Sequence, residues 1–339
     1  MASLKTDTRW RRFRHHGELW LAGWLRRFYA WRQRPLEVVG PQAFVPYVFR
    51  EAGLNPRPIP PIVWSYWTGG EPPLVVRRCI ARWQRLNPGF SVRVLDDRTL
   101  HAHVSELPEG LAAQSPTRRA DWLRLELLRR HGGIWLDASS ILTGSLDWVL
   151  TLQQTAQSDF IGYHLALYNR NPARPVVENW FLAAPPGSPF IEDLQREFTT
   201  EVIPRTGEAY MAHLQALGLF DSLRQAIDMP AYLSMHLAVQ RLLQGGGRYR
   251  LHLARAEDGP YFFHVLGDWR RTPLKIRLLF SRIRGALPPL IKLRSPDRKR
   301  LDDYLARGFY LPDSIAGRHL GPTGEPNSSA KARPPLRRG

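Results

Sequence analysis

The chain has 339 residues, 43% of them hydrophobic, one cysteine (Cys79) and a net charge of +18. That length and apolar content suit one large α/β domain or two small ones with a sizeable core. The lone cysteine excludes an intrachain disulfide and fits a reducing compartment. The charge is uneven: residues 1–34 net +7, residues 270–300 net +10 and residues 318–339 net +4, which leaves −3 for everything else. The basic flanks, not the body, therefore point to an anionic partner: membrane lipid, nucleic acid or an acidic polymer.

Glu18 to Arg34 reads as the first helix, with Leu21, Trp24, Leu25, Phe28 and Trp31 on one face and arginines elsewhere. A basic amphipathic helix with tryptophans lies in a membrane interface or docks on its own domain. The longest early apolar run, Leu19 to Leu25, has seven residues, against the ~20 needed to span a bilayer. No secretory signal pattern follows Arg9 to His16, so a cytoplasmic location is expected. Pro56 to Pro61 reads as a linker. Ile62 to Trp67 reads as a first strand, Leu74 to Leu86 as a helix, and Phe90 to Leu95 as a second strand with Asp96-Asp97 at its end.

Ala120 to His131 carries Leu123, Leu127 and Leu128 at helical spacing, and Gly132-Gly133 stops it. Ile134-Trp135-Leu136 is a short buried strand, and Asp137 stands where it emerges. In an open α/β sheet that is where ligands bind. Asp121 and Arg124, three apart, share one helix face as a surface ion pair or as part of a site. Asp137 either caps the next turn or binds a cation. Further along, Gly144 to Leu152 reads as a short helix or turn, Phe160 to Leu165 and Asn179 to Ala184 as strands, and Pro189 to Phe198 and Tyr232 to Leu243 as helices. Tyr261 to His264 reads as an apolar strand, and Lys275 to Arg294 as a second membrane-surface element or an acceptor-side wall. Gly321 to Gly339 has the composition of a disordered tail. There is no P-loop, zinc spacing or nucleophile elbow.

Ser115 to Ser140, SPTRRADWLRLELLRRHGGIWLDASS, resembles the core motif of the DXD-containing sugar transferases, and most of all the capsular polysaccharide synthesis proteins. The resemblance implies an α/β, Rossmann-like, nucleotide-sugar-binding glycosyltransferase fold of the A type. Its central sheet is mixed and mostly parallel, with added terminal helices. It implies that Asp121 and Arg124 contact the donor sugar and ribose and that Asp137 binds Mn²⁺ or Mg²⁺ on the donor diphosphate. Ser139 stands at the second acid of the motif, a weaker ligand for a hard cation. By the same resemblance Trp67 stacks on the base, the alternative being a core tryptophan. Asp96 and Asp97, a pair of acids after a strand, hold metal, cap the next helix or touch the donor. Asn179 enters the donor pocket or makes a turn. His264 is a second metal or phosphate ligand or a buried strand-end histidine, and Trp269 closes on the diphosphate. Arg118 and Arg119 add positive charge there or lie on the surface.

The domain organisation expected is a basic N-terminal extension (1–55), a catalytic domain (56–269), a basic helical region (270–317) and a tail (318–339). The function implied is sugar transfer from a nucleotide-sugar donor to a hydroxyl of a glycan or lipid-linked acceptor in surface-polysaccharide assembly, at the inner face of the membrane and without nucleic acid. A nucleic-acid-binding basic protein and an inactive membrane-associated scaffold are the alternatives.

Overall fold

The structure, a computed structural model, describes residues 2–37, 42–50 and 56–322, with side chains from residue 16 onward. Seven strands form one sheet: β1 (Val45–Phe49), β2 (Ile62–Tyr66), β3 (Ser91–Leu95), β4 (Gly133–Leu136), β6 (Phe160–His164), β7 (Val177–Ala184) and β8 (Tyr249–Arg255), in the order β1-β8-β6-β7-β4-β2-β3. The other two, β5 (Ser140–Leu142) and β9 (Leu290–Lys292), pair antiparallel as a separate ribbon. In the large sheet β2, β3, β4, β6 and β8 run one way, while β1 and β7 oppose them. The chain is an α/β protein with a mixed, mostly parallel sheet.

The helices are α1 (Ala2–Arg32), α2 (Leu74–Leu86), α3 (Pro116–His131), α4 (Asp147–Ala156), α5 (Pro189–Glu197), α6 (Gly207–Ala216) and α7 (Phe220–Arg224), followed by α8 (Ser234–Gly245), α9 (Phe262–Leu266), α10 (Arg271–Phe280), α11 (Ser295–Arg298), α12 (Leu301–Ala306) and α13 (Ile315–Leu320). Strand alternation sends Val63, Ile134 and Leu136 to one face, under α2, α4, α9, α10, α12 and α13. Trp64, Tyr66 and Trp135 go to the other, under α3, α5, α6, α7 and α8. This is the period-two logic of a strand buried on both sides.

The α3–β4 junction follows from its residues. Ser115 Oγ accepts the Arg118 N–H and Pro116 fills the first turn, a favourable N-terminus. Gly133 has φ +105, and a Cβ there would stand 2.7 Å from the Ile62 carbonyl oxygen, so only glycine lets β4 start this close to β2.

Five expectations change. Tyr261 to His264 is not a strand: Phe262 to Leu266 is α9, with Phe262, Phe263 and His264 buried. A short all-apolar run carries no periodicity to separate strand from buried helix. The first helix starts well before Glu18, as α1 shows. Leu278, Leu279, Phe280, Ile283, Leu290 and Ile291 are buried core residues, so the apolar side of this stretch packs inside the fold and not against a membrane. The sheet extends beyond a boundary at residue 56, because β1 pairs with β8. Residues 318–320 belong to α13, and the rest of the expected tail, from 323, lies outside the described residues.

The α1 helix docks through Leu19, Ala22 and Tyr29, the last stacked on Phe280 at 5.7 Å. Trp20 and Trp31 are 75% and 78% exposed. Among the described residues no helix is long and apolar enough to cross a membrane.

Candidate active site

Asp137 follows β4 directly. Its backbone N–H donates to the Trp180 carbonyl and its own carbonyl accepts from Ser140 N, both at 3.0 Å, which fixes the turn from β4 into β5. The side chain points into a charged cluster. Arg124 on α3 bonds Asp121 Oδ1 through Nη1 at 2.7 Å and reaches Asp137 Oδ1 through Nη2 at 3.4 Å. Nη1 also donates to the Asn179 carbonyl at 2.6 Å, and Asn179 Nδ2 donates to Asp121 Oδ1 at 3.0 Å. The Arg124 guanidinium lies 5.0 Å from the centre of the Trp135 ring, whose Nε1 donates to Asp137 Oδ1 at 3.1 Å. Asp121 and Arg124 are 3% and 5% exposed, while Asp137 keeps 29% open. The structure thus brings Asp121, Arg124, Asp137 and Asn179 together, with Asp137 as the exposed edge.

Lys292 completes the cluster. Its Nζ bonds Asp137 Oδ2 at 2.5 Å, with the lysine side chain only 8% exposed. The cause is register: Lys292 pairs with Ser140 across β5–β9, and Ser140 is three residues past Asp137. Burial alone would raise the Asp137 carboxyl, but Lys292 and Arg124 beside it hold it below the ordinary carboxylate range. Burial lowers the Lys292 ammonium, which the same carboxylate opposes.

Next to Lys292 stands a second pair. Burial leaves His264 fully enclosed, with Nε2 2.8 Å from Asp297 Oδ2. That oxygen also accepts the Arg294 backbone N–H at 2.8 Å. The histidine is tied to Asp297, not to Asp137. Burial would raise Asp297, but the His264 hydrogen bond and Arg294 lower it to about 2. A folded pKa below the ~3.9 of an unfolded aspartate contributes stability above that value. It amounts to about 2 kcal/mol and is lost as pH falls from ~4 towards ~2. Urea unfolding across that window should show the decline, and Asp297→Asn should flatten it; equal slopes in the two proteins would mean the pair is not formed.

The remaining site residues divide. Asp97 accepts from Tyr66 Oη, from Thr68 Oγ1, and from Arg119 Nη1 at 3.1 Å. The Thr68 and Tyr66 hydrogen bonds lead in holding it low. Asp96 instead caps the following turn, accepting Thr99 N at 2.8 Å and Arg98 N at 2.9 Å. Beside Asp97 and Arg119 lies a cavity of about 220 Å³, walled by Tyr66, Leu107, Leu111 and Trp122. Arg118 spends both terminal nitrogens on the Arg205 and Val202 carbonyls, at 2.7 and 2.8 Å, so it ties α3 to that segment. The Trp67 ring has the Arg298 guanidinium 5.4 Å from its centre, and the Trp269 ring has that of Arg294 at 5.3 Å.

The residues present do not fit a divalent cation. An ion of that kind on a diphosphate still needs at least one free carboxylate, the phosphates and water supplying its other oxygens. Asp137 is the one carboxylate of the motif and is held by Lys292 and Arg124. Ser139 Oγ donates to the Leu293 carbonyl at 2.9 Å. Among the described residues no group of three or more His, Cys, Asp or Glu could hold a metal.

Sequence reasoning missed Lys292, Arg294, Arg298 and Glu178. The first three were counted in a basic flank, and nothing local marks a lysine that meets an aspartate 155 residues away. Glu178 is buried and accepts from Trp180 Nε1 at 2.6 Å and Tyr261 Oη at 3.3 Å. Its one signal is a charge inside an otherwise apolar strand.

Residues 50–201 match the model of the family described as Capsular polysaccharide synthesis protein. The resemblance read from Ser115 to Ser140 lies inside that match. The segment is also similar to the O-glycosyltransferase braB of Annulohypoxylon truncatum, 32% identical over 149 residues, covering 38% of this chain and 35% of that protein. The glycosyltransferase afumC of Aspergillus fumigatus is 30% identical over 156 residues, covering 41% of this chain and 39% of that protein. The chain thus spans between a third and two fifths of these relatives' lengths. Among solved structures, galactosyltransferase LgtC in complex with donor and acceptor sugar analogues is 11% identical with a TM-score of 0.38, covering 69% of this chain and 87% of that one.

Proposed function

We propose that this chain is a glycosyltransferase that moves a sugar from a nucleotide-sugar donor to a hydroxyl of a glycan or lipid-linked acceptor in capsular or surface-polysaccharide assembly. The observation that carries the reading is the buried Asp121–Arg124–Asp137 cluster at the carboxyl end of β4, inside the family match. In the reaction the acceptor oxygen bonds the anomeric carbon while the bond from that carbon to the diphosphate breaks. The electron pair leaves with the diphosphate, and the acceptor's proton is released. Asp121 and Arg124, locked by Asn179, set the frame that orients ribose and sugar, and the open edge of Asp137 accepts from a sugar hydroxyl. Such positioning supplies much of a barrier reduction. The base takes the apolar cavity at the β2 and β3 exits, against Tyr66 and Trp122 with Asp97 at the rim. Trp67 shares the β2 exit.

The place of action is the inner face of the membrane. The exposed Trp20, Trp24 and Trp31 of α1 accompany Arg26, Arg27 and Arg32, a combination suited to an anionic bilayer surface.

A thermal-shift panel of UDP-, GDP-, CDP- and ADP-sugars tests the function. A donor at 100 times its dissociation constant adds about 2.7 kcal/mol of stability, and the tightest binder should then be hydrolysed slowly without acceptor. A panel in which no nucleotide sugar raises Tm would end the proposal.

A further inference from the structure

We propose that the donor diphosphate is gripped by Lys292 and Arg298, carried on the segment that β9 clips to β5, and not through a divalent cation. This rests on the glycosyltransferase reading above and names the part of the site that takes the charge.

Three observations support it. The first is that the oxygen a cation would need is already taken: Lys292 Nζ lies 2.5 Å from Asp137 Oδ2, and Trp135 and Arg124 hold Oδ1 at 3.1 and 3.4 Å. A divalent ion there would have to expel an ammonium and sit against a guanidinium.

The second is an unbalanced charge. Arg124 has both Asp121 and Asp137, and Lys292 shares Asp137. Arg298 has no carboxylate at ion-pair distance among the described residues, Asp137, Asp302 and Asp297 acting on it only from farther off; it lies over the Trp67 ring, and its buried Nε lacks a hydrogen-bond partner. A half-buried guanidinium left this way is costly until an anion meets it, and its planar fork matches phosphate oxygens two at a time.

The third is placement. Trp67 follows β2 and Asp137 follows β4, adjacent parallel strands. Arg298 over the one and Lys292 against the other therefore lie along the carboxyl-end crevice where an α/β sheet receives its ligand. Between them Asp297 fixes the backbone, accepting both Arg294 N–H and His264. His264 is a positioning residue for the cations. Fixed positive groups aimed at the diphosphate stabilise the charge that grows on it as the sugar leaves, without reorganisation.

The test is calorimetric titration of UDP, GDP, CDP and ADP, and of their nucleosides, in EDTA and in Mn²⁺. One nucleoside diphosphate should bind in EDTA within about twofold of its affinity in Mn²⁺. Arg298→Ala should weaken it by about tenfold or more while leaving the nucleoside's affinity unchanged and without lowering the Tm; Arg298→Lys should recover part of the loss. Binding that requires Mn²⁺ overturns the cationic grip and leaves the glycosyltransferase reading standing. Unchanged diphosphate affinity in Arg298→Ala overturns it too. No nucleoside diphosphate bound in either condition removes both.

Discussion

Asp137→Ala should lower sugar transfer by about a hundredfold or more. The carboxylate does two things at once. One oxygen holds Lys292 at 2.5 Å and the other faces Arg124 and Trp135, while the side chain keeps 29% of its surface open to the crevice. Removing it frees the buried Lys292 and leaves Arg124 to Asp121 alone, so the groups proposed to face donor and leaving diphosphate lose their spacing together. Asp137→Asn separates charge from shape: it keeps a hydrogen-bond acceptor for Lys292 but not the charge, and should recover only a minor part of the rate. The measurement is steady-state transfer, or donor hydrolysis where no acceptor is in hand, with circular dichroism to establish that the variants are folded. Undiminished turnover in Asp137→Ala would remove this residue from the mechanism.

The second large effect is on stability. Arg124→Ala should cost about 3–5 kcal/mol, because it leaves Asp121 buried with no countercharge. Asp121 is 3% exposed, and besides Arg124 at 2.7 Å it has Asn179 as a neutral donor at 3.0 Å. Arg124→Lys should rescue little, since a point-like ammonium lacks the planar fork with which the guanidinium serves Asp121, Asp137 and the Asn179 carbonyl at once. The double variant Asp121→Leu/Arg124→Leu should be far less destabilised than the single one, because removing both charges removes the uncompensated one. Urea unfolding measures all three. A single-variant cost under about 1 kcal/mol, the range of a solvated surface pair, would show that the cluster is not sealed from water.

Together the two variants separate what each charge does. In the proposed site Arg124 is mainly a structural counterion, and Asp137 is mainly a crevice residue that also anchors cations. The pH dependence through Asp297 concerns a third part, the brace under Lys292 and Arg298.

Much of this was legible in the chain itself. The helix from Ala120 to His131, its glycine stop, the strand after it and the carboxylate at the strand's end are all local events. Capping, φ preference and apolar spacing act over a few residues, so a linear reading captures them. Asp121 and Arg124 share a face for the same reason, and the motif they belong to ties them to Asp137. What the residues could not show is where the partners come from. The register of β5 on β9 sets Lys292 against Asp137, and α9 puts His264 on Asp297 rather than on the motif aspartate. Each of these contacts joins residues far apart in the chain, chosen by the way two helical layers close over the sheet. So the sequence by itself determined the scaffold of the site and its acidic edge. Only tertiary packing decided that the edge would be met by cations, because a charge's effect depends on what stands within a few ångströms of it, and no spacing along the chain records that distance.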